Sequence, residues 1–192
     1  STKVMRLFTA LDLSPEVLLR MERLISRLRP EGLIQWSPLD NLHVTLKFIG
    51  EWPEARLDEL DRRLRTLAPR EPFEMEIRDL GWFPDKGAPR FLWAGVHGGS
   101  ALAQLARDTE ECLEALGIAK EQRPFSPHLT LARIKHPAPL GRLRREVQEQ
   151  QSAAFGAFPV SQFTLFRSEP GSNASIYHRV REYRFQSAAA AS

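Results

Sequence analysis

Hydrophobic and polar positions follow two rhythms along this chain, a period of two and a period near 3.6, and the switches between them mark its elements. Residues 4–13 predict a strand that stops at Ser14-Pro15, where a serine cap and a proline in the first turn open a helix. Val17, Leu18, Met21, Leu24, Ile25 and Leu28 then fall on one helix face, and Pro30, Glu31 and Gly32 end it. Residues 42–49 alternate strictly, with Leu42, Val44, Leu46 and Phe48 on one side and His43, Thr45 and Lys47 on the other. That is the pattern of a half-buried strand presenting a polar row. A second helix is predicted over 53–68, a partial strand over 73–83, a turn at Pro84-Asp85-Lys86-Gly87 and a strand over 90–97. Ser100 is the expected cap of a third helix that turns Leu102, Leu105, Thr109, Leu113 and Leu116 inward and ends at Gly117. A strand over 128–134, a basic helix over 139–150 and strands over 160–167 and 176–185 follow, and residues 187–192 read as a disordered tail.

Laid over itself with His43 on His128, at an offset of 85 (128 − 43), the chain repeats its order of elements. Leu7-Phe8-Thr9-Ala10-Leu11 falls on Leu92-Trp93-Ala94-Gly95-Val96, Phe73 on Phe158 and Leu80 on Leu165. Each half reads strand, helix, His-x-Thr strand, helix, strand. Two copies are too few for a solenoid. The expectation is an α+β fold of two pseudo-symmetric lobes, each an antiparallel sheet with flanking helices, enclosing a central cleft. Residues 1–186 would then form a single bilobal domain, because separating the lobes would separate the two motifs.

Composition adds exclusions. With 192 residues, 42% of them hydrophobic and 27% charged, the chain can bury a sizeable core and is neither collagen-like nor disordered. No apolar stretch approaches the ~18 residues of a spanning helix, and the N-terminus lacks the apolar core of a signal peptide, so no membrane association is expected. One cysteine, Cys112, permits no internal disulfide, which points to a reducing, cytoplasmic setting. The charged helices show no apolar patch for self-association, so a monomer is expected. The net charge of +3 is too small to name a partner by itself.

The chemistry lies in His43-Val44-Thr45-Leu46 and His128-Leu129-Thr130-Leu131. Two residues apart on a strand, each histidine and threonine leave the same face, ~6–7 Å apart. If the lobes face each other, two imidazoles and two hydroxyls converge. An ordinary imidazole titrates near pH 6.5, so one ring can donate a proton while the other accepts one. That division of labour suits an in-line displacement at phosphorus, with the hydroxyls bonding the non-bridging oxygens. A lone histidine on a strand is far more often a surface or satisfied core residue; two at equivalent repeat positions reverse that weighting. A zinc site would want three or four convergent ligands, and neither motif supplies an acidic or sulfur partner, so no metal is expected. His97, His136 and His178 read as surface residues.

The paired motifs, with Arg6-Leu7-Phe8-Thr9-Ala10-Leu11 before them and Ala132-Arg133 after the second, resemble the two-histidine (2H) phosphoesterases, and within them the RNA 2′,3′-cyclic phosphodiesterase family, also called 2′-5′ RNA ligase. The resemblance spans about residues 4 to 185. It implies His43 as the general acid that protonates the leaving 3′ oxygen, and His128 as the general base that activates water, giving a 2′-phosphomonoester. Thr45 and Thr130 match the phosphate-binding threonines, and no cofactor is implied. The implied partner is RNA with a 2′,3′-cyclic phosphate end, tRNA fragments or small nucleotides included, and the reverse reaction would make a 2′-5′ linkage. Arg133 matches a family arginine, and a guanidinium suits phosphate. Strict alternation nevertheless puts it on the face opposite His128, reaching the cleft only if the strand twists, bulges or ends first. Phe48 holds the corresponding place in the first motif, where it could stack on a base or fill core. Lys47, Arg123, Arg142, Arg144, Arg145, Arg179, Arg181 and Arg184 are candidates for the RNA backbone path. The competing readings are the same chemistry on a small cyclic nucleotide, ADP-ribose cyclic phosphate or a 2′-5′ oligonucleotide, and a non-catalytic RNA-binding module.

Overall fold

The computed structural model describes residues 3–188. Among these, nine strands and four α-helices build a mixed α and β fold around two antiparallel sheets. In chain order these are β1 (Val4–Leu11), α1 (Pro15–Leu28), β2 (Gln35–Trp36), β3 (Val44–Pro53), α2 (Leu57–Arg65), β4 (Phe73–Phe83), β5 (Phe91–His97), α3 (Gly99–Glu114), β6 (His128–Arg133), α4 (Gly141–Glu149), β7 (Ala154–Val160), β8 (Gln162–Glu169) and β9 (Ile176–Arg184). The first sheet runs β3-β1-β8-β9 and the second β2-β6-β5-β4-β7.

Local chemistry explains most boundaries. The Ser14 hydroxyl accepts from the Val17 N–H at 3.2 Å, Pro15 sits in the first turn, and Val17, Met21, Leu24, Ile25 and Leu28 are buried along one side of α1. At the end of α3, Gly117 takes φ +86, and the Ile118 N–H reaches back to the Leu113 carbonyl at 3.2 Å, a left-handed cap that glycine adopts without strain. Other boundaries differ from expectation. Ser100 caps nothing: α3 starts one residue earlier, at Gly99, with Gly98 before it. The strand expected over 42–49 runs to Pro53, so α2 begins only at Leu57. The strand expected over 160–167 is two strands broken at Ser161, where the chain leaves the second sheet and enters the first.

That crossing shows how the repeat is assembled. Each half does not fold onto its own sheet. β4, the last strand of the first copy, pairs with β5 of the second, and β8, its counterpart, pairs with β1 of the first. A short turn joins β4 to β5, and adjacent antiparallel strands are its natural product. The helices exchange as well: α1 packs on β7 and α4 on β4, while α3 and α2 pack on β3 and β9. One apolar core, including Leu11, Met21, Leu64, Met75, Leu92, Leu105, Leu131 and Phe163, runs through both sheets and all four helices.

In β1, Leu7 and Leu11 join that core, whereas Phe8 and Ala10 join Phe166 and Tyr177 in a separate small cluster on the other face. The first sheet thus carries an aromatic floor on the side away from the main core. On the second sheet Trp93 lies against Gly81, where any Cβ would meet the indole at 2.1 Å. At the C-terminus Ser187 and Ala188 hydrogen-bond the Glu71 carboxylate, so these first two residues of the expected tail are tied down. Residues 189–192 lie outside the described residues.

Candidate active site

β3 and β6 bring the two His-x-Thr motifs to opposite walls of one cleft of about 750 Å³, lined by His43, Thr45, His128 and Thr130 among others. Both strands depart from strict alternation at the same place. Ala10 pairs with Thr45 and Thr9 with Lys47, so Leu46 is skipped; Trp93 pairs with Thr130 and Leu92 with Ala132, so Leu131 is skipped. The two bulges stand at the offset of the repeat, since 131 − 46 equals 128 − 43. A bulge sets two residues against one and reverses the inside–outside order beyond it. Phe48 is thereby turned to the cleft, 71% exposed and 6.0 Å from the Phe8 ring. Arg133, its counterpart, lines the same cleft, with its guanidinium 5.1 Å over the Phe91 ring.

Lys47 is moved by the same bulge. Expected on the polar row beside Thr45, it is instead buried to 7% exposure, donating to Glu110 at 3.1 Å and to the Ala119 carbonyl at 2.7 Å. Its charge is neutralised inside the fold. Glu110 also accepts from the Glu121 N–H at 2.9 Å, tying β3 through α3 to the loop that leads into His128.

The two histidines sit in different surroundings. His43 packs 4.5 Å from Phe166, centroid to centroid, on the aromatic floor. Its Nε2 lies 3.3 Å from Asp12 Oδ1, and Arg179 donates to that oxygen at 2.5 Å. Burial acts to raise the Asp12 pKa, but the hydrogen bonds from His43 and Arg179, with the Arg179 charge, outweigh it and hold the carboxyl below its ordinary range. A carboxylate ionised at neutral pH therefore stands beside His43. At 3.3 Å that contact is long for a charge-assisted bond. His128 is exposed, and its Nδ1 lies 2.9 Å from the Ser126 carbonyl. A neutral ring donating Nδ1–H to that oxygen carries its lone pair on Nε2.

Asp12 and the floor residues Phe8, Phe166 and Tyr177 were missed in the sequence. Asp12 ends a strand just before a helix cap, where an acidic residue reads as solvent-facing; only the return of β9 beside β8 brings Arg179 to it. Lys135 also lines the cleft. Of the eight basic candidates for the RNA path, only Lys47 lines this cleft, and it is internally paired; Arg179 serves Asp12, and Arg144 lies over Trp82 at 5.5 Å. His97 and His178 lie near Asp79 and Glu169, and they and His136 stand apart from the cleft lining. Among the described residues no three His, Cys, Asp or Glu side chains gather closely enough to hold a metal ion, and no helix is long and apolar enough to cross a membrane.

Two sheets facing across a cleft, each presenting His-x-Thr from a bulged strand, define the two-histidine phosphoesterase class. Residues 15–171 match the family model of the 2′-5′ RNA ligase superfamily, and the chain belongs to that family. A Thermus thermophilus protein named RNA 2′,3′-cyclic phosphodiesterase is 38% identical over 184 residues, covering 90% of this chain and 86% of its own. A protein of the same name from Archaeoglobus fulgidus is 31% identical over 179 residues, covering 93% and 99%. The crystal structure of TT0787 of Thermus thermophilus superposes with a TM-score of 0.81 at 32% identity, over 96% of this chain and all of the other. Escherichia coli LigT complexed with 3′-AMP shares the fold, with a TM-score of 0.75 at 24% identity over 95% and 99% of the two chains.

Proposed function

We propose that this chain hydrolyses RNA 2′,3′-cyclic phosphate ends to 2′-phosphomonoesters, with His43 as general acid and His128 as general base. The observation that carries the reading is the unequal setting of two equivalent histidines: an ionised carboxylate beside His43, a backbone carbonyl on Nδ1 of His128. The Asp12 carboxylate stands where it can orient the His43 ring, and the Ser126 carbonyl where it can fix the His128 tautomer whose lone pair is on Nε2. His128 Nε2 draws a proton from water as its oxygen attacks phosphorus; the bond to the 3′ oxygen breaks, and His43 protonates that oxygen as it leaves. In this reading Thr45 and Thr130 donate to the non-bridging oxygens as charge moves onto them, and Arg133 pairs with the phosphate. The names of the relatives support the substrate class. With the 5′-hydroxyl of a second RNA attacking phosphorus in place of water, the same displacement would form a 2′-5′ junction. Both motifs come from one chain, so a monomer suffices, and the single thiol, Cys112, is buried and suits a reducing cytoplasm.

The test is incubation of the protein, with EDTA present, with an RNA oligonucleotide ending in a 2′,3′-cyclic phosphate. A 2′-phosphate product is expected. A 3′-phosphate product would reverse the assignment of the leaving oxygen, and binding without turnover would leave an RNA-binding module.

A further inference from the structure

Four side chains stand in one row across the second sheet, at the end of the cleft away from the histidines. Gln35 of β2 pairs with Arg133 of β6, Arg133 with Phe91 of β5, and Phe91 with Phe83 of β4. Directly paired residues share a face, and Gln35, Arg133 and Phe91 all line the cleft. The Phe83 and Phe91 rings are 6.3 Å apart at 33°, the Arg133 guanidinium lies 5.1 Å over Phe91, and Arg90 lies 5.7 Å over Phe83. Phe83 is 48% exposed, an unusual fate for a large ring.

The row has a closed end and an open one. Gln35 donates its amide to the Asn173 carbonyl at 2.9 Å, and Asn41 donates to the Ser175 carbonyl at 2.8 Å, so the hairpin between β8 and β9 is pinned across that side. At the other end Phe83 and Arg90 face outward. Arg133 also stands three residues along β6 from Thr130, about 10 Å of strand. The rings therefore lie beyond the reacting phosphate rather than against it.

Alternating cations and exposed aromatic faces are what single-stranded nucleic acid uses for stacking without sequence preference. We propose that the Phe91–Phe83–Arg90 row, beyond the phosphate-pairing Arg133, is a subsite for the nucleotides that precede the cyclic phosphate in an RNA chain. The proposal rests on the cyclic phosphodiesterase reading for its direction: a 2′,3′-cyclic phosphate is a 3′ end, so any further chain leaves the cleft on the 5′ side, and the structure leaves the Phe83 end open to it. It extends that reading from a terminal phosphate to an oligonucleotide, and makes RNA rather than a mononucleotide the preferred substrate.

The experiment compares the wild type with Phe83→Ala and Phe91→Leu. It measures kcat/KM for a pentanucleotide and for a mononucleotide, both ending in 2′,3′-cyclic phosphate, and fluorescence-anisotropy binding of a labelled pentanucleotide ending in 2′-phosphate. The preference for pentanucleotide over mononucleotide is expected to fall about tenfold in Phe83→Ala, the scale of one lost base stack, with a matching loss in binding. An unchanged preference would overturn the proposal. Equal losses on both substrates in Phe91→Leu would give the row to the terminal base and overturn it as well. Should the wild type open neither substrate, the functional reading fails alone, and the anisotropy of Phe83→Ala still decides the subsite: unchanged affinity rejects it, an about tenfold loss upholds it.

Discussion

Leu131 is skipped by β5 at the place where Leu46, its counterpart in the repeat, is skipped by β1. The duplicated bulge turns position 133 on one wall, and position 48 on the other, into the cleft. Arg133 is surface-exposed and supports no core packing, so Arg133→Ala should leave the melting temperature within ~2 °C while lowering kcat/KM for cyclic-phosphate RNA by about 10- to 100-fold, the scale of a lost charge-assisted pair. Arg133→Lys should recover only part of that, because an ammonium cannot reproduce a bidentate fork. Steady-state kinetics with a thermal melt of each variant checks both.

His43→Ala and His128→Ala should each reduce kcat by at least ~100-fold, the range for a positioned acid or base. Acting in one displacement, they should not be additive, and the double variant should be close to the worse single one. Full activity in either single variant would sink the two-histidine mechanism.

Asp12 links the site to acid stability. Its folded pKa lies below the unfolded one, so the unfolded chain binds more protons as pH falls, and the stability Asp12 contributes is complete above its ordinary value near 4 and lost on passing down through the folded value. Asp12→Asn should melt below the wild type at pH 6 to 7, and the gap should close as pH falls from about 4 toward 2. Melts of both proteins across that range provide the check, and a gap that widened would reverse the sign of the argument.

Lys47 separates a structural cation from an RNA-binding one. Replacing Glu110 by Ala leaves a buried ammonium without its carboxylate and frees the Glu121 N–H, which should destabilise the fold by on the order of 2–4 kcal/mol in chemical denaturation. Lys47→Met should leave the salt dependence of RNA binding unchanged, because no phosphate contact is lost.

Most of the elements, β2 and the separate β7 excepted, the 85-residue offset between the motifs and both His-x-Thr pairs were legible in the sequence because they depend on local rules: side-chain period, proline and glycine punctuation, and the fixed spacing of residues two apart on a strand. These rules placed α1 at its serine cap and set His43 beside Thr45. They could not place Lys47, Phe48 or Arg133, because a bulge is decided by the partner strand: β3 carries two residues more than the stretch of β1 it pairs with, and β6 one more than the stretch of β5. Nor could they assign β4 and β8 to the sheet opposite their own half, since pairing is settled by which edges meet once the chain has turned at residues 84–90 and at Ser161. The same limit hid Asp12, which meets Arg179 across 167 residues of chain. Sequence alone determined that two His-x-Thr pairs exist at equivalent positions. Tertiary structure made their surroundings unequal, because Asp12 beside His43 is held by Arg179 of β9, a strand distant in sequence and neighbouring only in the folded sheet.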